Sequence, residues 1–167
     1  MHDLRRFLDA QQGSYEVALS EIRREQKRSH WMWFVFPQYV GLGISPTSQR
    51  YAIKSVAEAE AYLNDPVLGR RLVQCAEALL SVEGRSARHI FGSPDDMKLK
   101  SSVTLFAHVS SPGSVFERVL GKYFRGERDE RTLRLLSVPR DGGCRNDAAR
   151  HQTPGRPRDL LDQTTKQ

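Results

Sequence analysis

The chain has 167 residues, 38% of them apolar and 28% charged, which fits one soluble globular domain with a single core. No window approaches 18 consecutive apolar residues, which excludes a transmembrane helix. The net charge of +6 raises the question of a polyanionic partner, but the basic residues are spread rather than clustered. No zinc-finger, RRM or KH pattern accompanies them, so nucleic acid is an unlikely partner.

The opening Met1-His2-Asp3-Leu4-Arg5-Arg6 has no apolar stretch, so no secretory signal is expected. Leu4, Phe7 and Leu8 start a short helix. Tyr15, Ala18, Leu19 and Ile22 recur at helical spacing after a capping Ser14. This helix leads into the run Lys27-Arg28-Ser29-His30-Trp31-Met32-Trp33-Phe34-Val35-Phe36-Pro37-Gln38, and Pro37 is expected to stop it. Tyr39 to Gly43 is a loop with two glycines. Ser45-Pro46 pairs a cap with proline at the first helical position. Ser55-Val56-Ala57-Glu58 reads as a capping box, and Asp65-Pro66 opens a longer helix through Leu68, Leu72, Cys75, Ala76, Leu79 and Leu80.

Ala87, Ile90 and Phe91 make a turn or two. Ser93-Pro94-Asp95-Asp96 is another helix start, with acids complementing the N-terminal dipole, and Leu99, Val103, Phe106 and Ala107 continue it. Val115, Val119, Leu120 and Tyr123 form a further helix, and Leu133, Leu135 and Leu136 close the body. Only Val35 and Val109 suggest short extended pieces. The expected fold is therefore all-α: a compact bundle of about six to eight short helices over residues 1–137. The Pro/Gly/Arg-rich stretch 138–167 has no periodicity and is expected to be a disordered tail. Cys75 lies on an apolar helical stripe and Cys144 in the tail. They make no disulfide framework, and a reducing cytoplasm is the simplest reading.

Three segments carry chemistry. The Trp run joins Lys27, Arg28, Ser29 and His30 to flat apolar faces. Trp33 or Phe36 would stack on a base, the cations and Ser29 would reach phosphate oxygens, and Gln38 ends the run. The plain alternative is a core helix with a solvated cationic face. Around Ser45-Pro46, the Thr47 and Ser48 hydroxyls, Arg50 and Tyr51 flank a helix start that suits an anion, although simple capping needs the same residues. In the third segment Asp95 and Lys98 share one helix face, a pair suited to acid–base or anchoring work. There the alternative is first-turn acids beside solvated lysines. GxGxxG, Walker A, HExxH and GxSxG are all missing. The five histidines lack metal-ligand spacing, so neither metal nor cofactor is expected.

These pieces resemble a bacterial family of uncharacterised proteins, domain of unknown function 1810, whose members sometimes carry a calpastatin-like label. The resemblance runs from about Asp3 to Leu136. It rests on Arg6-Phe7, the Lys27–Gln38 run, Gly41-Leu42-Gly43, Tyr51-Ala52-Ile53, Tyr62-Leu63 with Pro66-Val67-Leu68-Gly69, Ile90 to Asp96 with Lys98, and Thr104-Leu105-Phe106. It implies a compact all-helical domain and no established activity, and nothing in the chain resembles the inhibitory segments of calpastatin. Pro46-Thr47-Ser48-Gln49-Arg50-Tyr51 is similar, more distantly, to the Pro-Thr-Ser-Glu-x-Tyr segment of the YbiA-like (NADAR) family of ADP-ribose N-glycosidases. That family's later lysine-bearing helix looks like the stretch around Lys98. Gln49 stands where its acid is expected, and an amide is no general base.

Three readings follow. The first is a domain that handles a phosphorylated, nucleotide-like small molecule such as an ADP-ribose derivative, with N-glycosidic hydrolysis through Asp95 and Lys98 as the candidate chemistry. It predicts that the three segments meet in one concavity. The second is a non-enzymatic interaction module using the aromatic run, and the third a weak nucleic-acid binder.

Overall fold

The computed structural model describes residues 2–139, and among them the fold is all-helical. Ten helices follow in order: α1 Arg5–Gln11, α2 Ser14–Arg23, α3 Met32–Val35, α4 Pro46–Arg50, α5 Val56–Asn64, α6 Leu68–Ser81, α7 Ala87–Phe91, α8 Asp95–His108, α9 Val115–Phe124 and α10 Glu130–Ser137. The count exceeds the six to eight expected because α3, α4 and α7 are single turns of four or five residues. The stretch read as a tail, with Cys144, lies outside the described residues apart from Val138 and Pro139.

Helix α8 is the axis of the fold. Seven successive residues, Ser101 to Ala107, are buried on it, so it has no wet face along that stretch, and α5, α7, α9 and α10 all pack against it. Helices α6 and α9 carry one apolar stripe each, as the periodicity predicts, and α6 buries its stripe against α2, α5 and α9. Aromatic rings join the layers. Phe7 of α1 meets Tyr62 of α5 edge-on at 5.0 Å, and Tyr62 lies 5.4 Å from Phe106 of α8. Where α5 turns into α6, a Cβ on Gly69 would sit 1.8 Å from the Leu63 carbonyl oxygen, so only glycine allows this approach.

Of the helix starts that the pattern marks, Ser45 and Ser55 cap as expected, whereas Ser14 does not: it is the first residue of α2, behind Gly13 at φ +77°, and α2 has no side-chain cap. Ser45, Ser55, Ser86, Ser114 and Asp129 each accept a hydrogen bond from the backbone three residues on, which satisfies one orphan N–H per helix. The capping box is only half made. Ser55 Oγ accepts from Glu58 N–H, but the Glu58 carboxylate takes the Lys54 N–H at 2.6 Å and pairs with Arg6 at 2.7 Å. The buried charge thus goes to a guanidinium instead of closing on Ser55. Asp65 Oδ1 accepts from Val67 and Leu68 N–H, so α6 starts at Leu68, two residues later than Asp65-Pro66 suggests.

The largest departure is in the Trp run. Helix α2 does not lead into it: α2 ends at Arg23, Glu25 adopts φ +60°, and the chain is irregular until Met32. Val35 lies in α3 and Val109 caps α8, so neither is extended. The described residues contain no strand, and a lone parallel bridge joins Tyr39 to Ile53 instead.

Candidate functional site

The irregular segment before α3 is shaped by one carboxylate that sequence patterning does not single out. Glu21, on α2, accepts hydrogen bonds from Arg28 N–H at 2.9 Å, Ser29 N–H at 3.0 Å, Ser29 Oγ at 2.6 Å and the Trp31 indole N–H at 2.7 Å. Burial alone would raise the Glu21 pKa. The donors of Ser29, Arg28 and Trp31 outweigh it and hold the group at about 2. Folded back in this way, the segment turns Trp31, Met32, Val35 and Phe36 into the core.

The same folding delivers Lys27 to the start of α8. Its N–H donates to the Ile90 carbonyl at 2.7 Å. Its ammonium donates to the Ser29 carbonyl at 2.6 Å and lies 2.8 Å from Asp95 Oδ2. Lys98 takes the other oxygen of Asp95 at 3.1 Å, one turn along α8. The Lys98 ammonium also lies 4.9 Å from the centre of the Trp33 ring, within range of a cation–π contact. For Asp95, burial raises the pKa, but the hydrogen bonds and charges of Lys27 and Lys98 prevail and hold it below the usual carboxylate value. Asp95 is therefore an anion at neutral pH, clamped between two cations. The Lys27 side chain is only 8% exposed, whereas Lys98 reaches a cleft.

That cleft has a volume of about 370 Å³. It is lined by Gln38, Leu42, Gly43 and Ser48 of the segment after α3, by Met97, Lys98 and Ser101 of α8, and by Asp129 and Arg131 from the start of α10. Gln38 Nε2 donates to Ser101 Oγ at 2.6 Å across it. Residues of all three chemical segments therefore lie on or beside one concavity: Gln38, Ser48 and Lys98 in its wall, Trp33 and Asp95 against Lys98, and Lys27 behind Asp95.

Other candidates fall elsewhere. Phe36 is fully buried and offers no face to a base, a direct consequence of the break between α2 and α3. Ser29 is turned to Glu21. Arg28 bonds Gln26 and lines a separate groove of about 490 Å³ along α2. This groove is larger than the cleft, but its Glu21 carboxylate is taken up by the loop and its Arg28 guanidinium by Gln26. His30 is exposed on a small recess, its ring 6.5 Å from Trp33. Thr47 and Arg50 face solvent. Arg50 lies over the Tyr51 ring at 5.4 Å, and Tyr51 is half-buried against Phe34. Gln49 is exposed and donates to the Ile44 carbonyl.

Sequence reasoning missed Asp129 and Arg131. A signal exists: Asp129 is followed three residues later by Thr132 and then by leucines, the pattern of a capped helix start. The Asp129 N–H donates to Thr104 Oγ1 on α8 at 2.9 Å, which is how α10 reaches the cleft. Among the described residues no group of three or more His, Cys, Asp or Glu side chains is placed to hold a metal ion. No described helix is long and apolar enough to cross a membrane. Burial pushes the Cys75 thiol up to about 12, which leaves it a packing group.

The family described as "Protein of unknown function (DUF1810)" matches residues 1–136. The crystal structure of the conserved hypothetical protein Rv1873 from Mycobacterium tuberculosis is similar, with a TM-score of 0.80 and 50% identity over 82% of this chain and 98% of that one. No curated protein matches.

Proposed function

The chain belongs to the DUF1810 family, and from that premise we propose that it binds a phosphorylated, nucleotide-like small molecule in the cleft between α8, α10 and the Gln38–Ser48 segment. The observation that carries this reading is the position of Lys98. Its ammonium is shared between the Asp95 carboxylate at 3.1 Å and the Trp33 ring at 4.9 Å, in the wall of a concave cleft. An aromatic face, a cation and a fixed anion side by side recognise a ligand that is flat at one end and charged at the other.

The chemistry that fits best is N-glycosidic hydrolysis of an ADP-ribose derivative, which the distant similarity to the YbiA-like family also suggests. The carbon–nitrogen bond breaks with its electron pair leaving on nitrogen. Water adds to the anomeric carbon, and the proton lost from water balances the one gained by the leaving group. Asp95, held as an anion, stabilises the positive charge that develops on the sugar. It is too acidic to supply the proton, so that role passes to the Lys98 ammonium. Asp95 thereby supplies the carboxylate that Gln49 does not.

A thermal-shift screen with ADP-ribose, NAD, mononucleotides and sugar phosphates tests the reading. A ligand at a hundred times its Kd stabilises the fold by about 2.7 kcal/mol, and the Lys98→Ala variant, with affinity about tenfold weaker, should lose about half of that gain or more. No shift with any of these compounds would overturn the reading. It would favour a protein-interaction module, for which Ile44, 90% exposed in the loop before α4, is the supporting feature.

A further inference from the structure

The firmest hold on a phosphate comes from a cation that no carboxylate already shares. Lys27 is nearly buried and bonded to Asp95 and the Ser29 carbonyl. Lys98 is shared between Asp95 and Trp33. Arg28 faces another groove, and Arg50 covers Tyr51 outside the cleft. Arg131 differs from all of these. It lines the cleft and also an adjoining open groove of about 550 Å³ along the start of α10, it is exposed, and among the described residues no hydrogen bond, ion pair or ring engages it. Its neighbours Arg128 and Arg134 are both paired, with Glu117 and Glu130.

The backbone beneath Arg131 is fixed. Asp129 Oδ2 accepts from Thr132 N–H at 2.8 Å and Oγ1 at 2.6 Å, and the Asp129 N–H is anchored to α8 through Thr104. This leaves Asp129 Oδ1 without a partner among the described residues, two positions from Arg131 on the same wall. An open guanidinium presents a fork that matches phosphate oxygens, and a free carboxylate oxygen accepts from hydroxyl groups. The volume of about 370 Å³ is at the small end of ligand sites, which span roughly 300–1,000 Å³, so the cleft itself accommodates one sugar phosphate and the rest of a larger nucleotide extends out of it.

We propose that Arg131 anchors a phosphate monoester and that Asp129 accepts from the hydroxyls of the sugar bearing it. The cleft thus takes a phosphorylated sugar, free or as one half of a nucleotide, with its phosphate at the α10 end and its anomeric end toward Lys98 and Asp95. This deepens the reading of the cleft given above and rests on it.

Calorimetric titration of the full chain with ribose 5-phosphate, ribose and ADP-ribose tests the assignment, using wild type, Arg131→Gln and, as a control on the same helix, Arg134→Gln. Arg131 has no intramolecular partner to lose, so its variant should keep the wild-type melting temperature. Ribose 5-phosphate should bind wild type more tightly than ribose. Arg131→Gln should weaken it by about tenfold or more, the worth of one charge-assisted phosphate contact, while Arg134→Gln leaves it unchanged. If wild type binds and Arg131→Gln binds equally well, the anchor is wrong and the cleft reading survives. Equal affinity for ribose and ribose 5-phosphate refutes a phosphate site. No binding of any of the three compounds overturns both proposals.

Discussion

Removing the Glu21 carboxylate should unfold the approach to the cleft before it touches the cleft itself. Four donors meet this one group. In Glu21→Ala the Trp31 indole N–H, on a side chain that is 1% exposed, loses its acceptor where water does not easily reach. An unsatisfied buried donor costs about 1–3 kcal/mol. The two Ser29 donors are half-buried and add about 1 kcal/mol, and the exposed Arg28 N–H rehydrates at little cost. The total is about 3 kcal/mol, a large share of the 5–15 kcal/mol typical of a domain and roughly 10 °C in melting temperature at this size. Glu21→Gln keeps a neutral acceptor and should lose about 1 kcal/mol.

The pH dependence provides a second check. The folded-state pKa of Glu21, about 2, lies below its ordinary 4.5, so the unfolded chain binds the proton more readily. The stability contributed by the charge is complete above pH 4.5 and disappears as pH falls toward 2. Urea unfolding followed by circular dichroism at pH 7, 5.5, 4 and 3 should show the gap between wild type and Glu21→Gln narrowing only below about pH 4.5. A Glu21→Ala protein as stable as wild type, or a gap unchanged down to pH 3, would refute the assignment.

Further predictions come from the clamp and from the core. Asp95→Asn leaves the nearly buried Lys27 ammonium without a counter-ion. It should cost about 3 kcal/mol by the penalty for an unpaired buried charge, read by thermal melting, and it should abolish any glycosidase turnover. It should not weaken phosphate binding, since removing an anion makes the cleft more positive. Gly69→Ala places a methyl against the Leu63 carbonyl and should destabilise by about 3 kcal/mol or more through overpacking, with no effect on ligand affinity per folded molecule.

Much of the fold was readable because its helices announce themselves locally. The stripes of α2, α6 and α9 and the Ser45 and Ser55 starts depend on neighbours within a few residues, which a linear pattern records. The Trp run depends on Glu21, seven to ten positions back, and no periodicity reports that a carboxylate will gather two backbone amides, a hydroxyl and an indole. Phe36 therefore read as a stacking face although it is core. The pairing of Asp95 with Lys98 follows from helical spacing, whereas that of Asp95 with Lys27 spans 68 residues and depends on the loop that Glu21 shapes. Asp129 and Arg131 reach the cleft only because Thr104, on another helix, takes the Asp129 N–H. This is a tertiary contact with no local signature.

The central claim is that the cleft beside Lys98 and Trp33 binds a phosphorylated, nucleotide-like ligand. Trp31 is buried and Trp33 half-exposed against the Lys98 ammonium, so Trp33 emission reports directly on that site. Titrating ADP-ribose into the full chain should give a saturable change in tryptophan fluorescence, absent in Trp33→Phe and weakened about tenfold or more in Lys98→Ala, the value of one charged contact. A flat titration of a well-folded wild-type protein at millimolar ADP-ribose would contradict the account, as would an identical curve in Lys98→Ala.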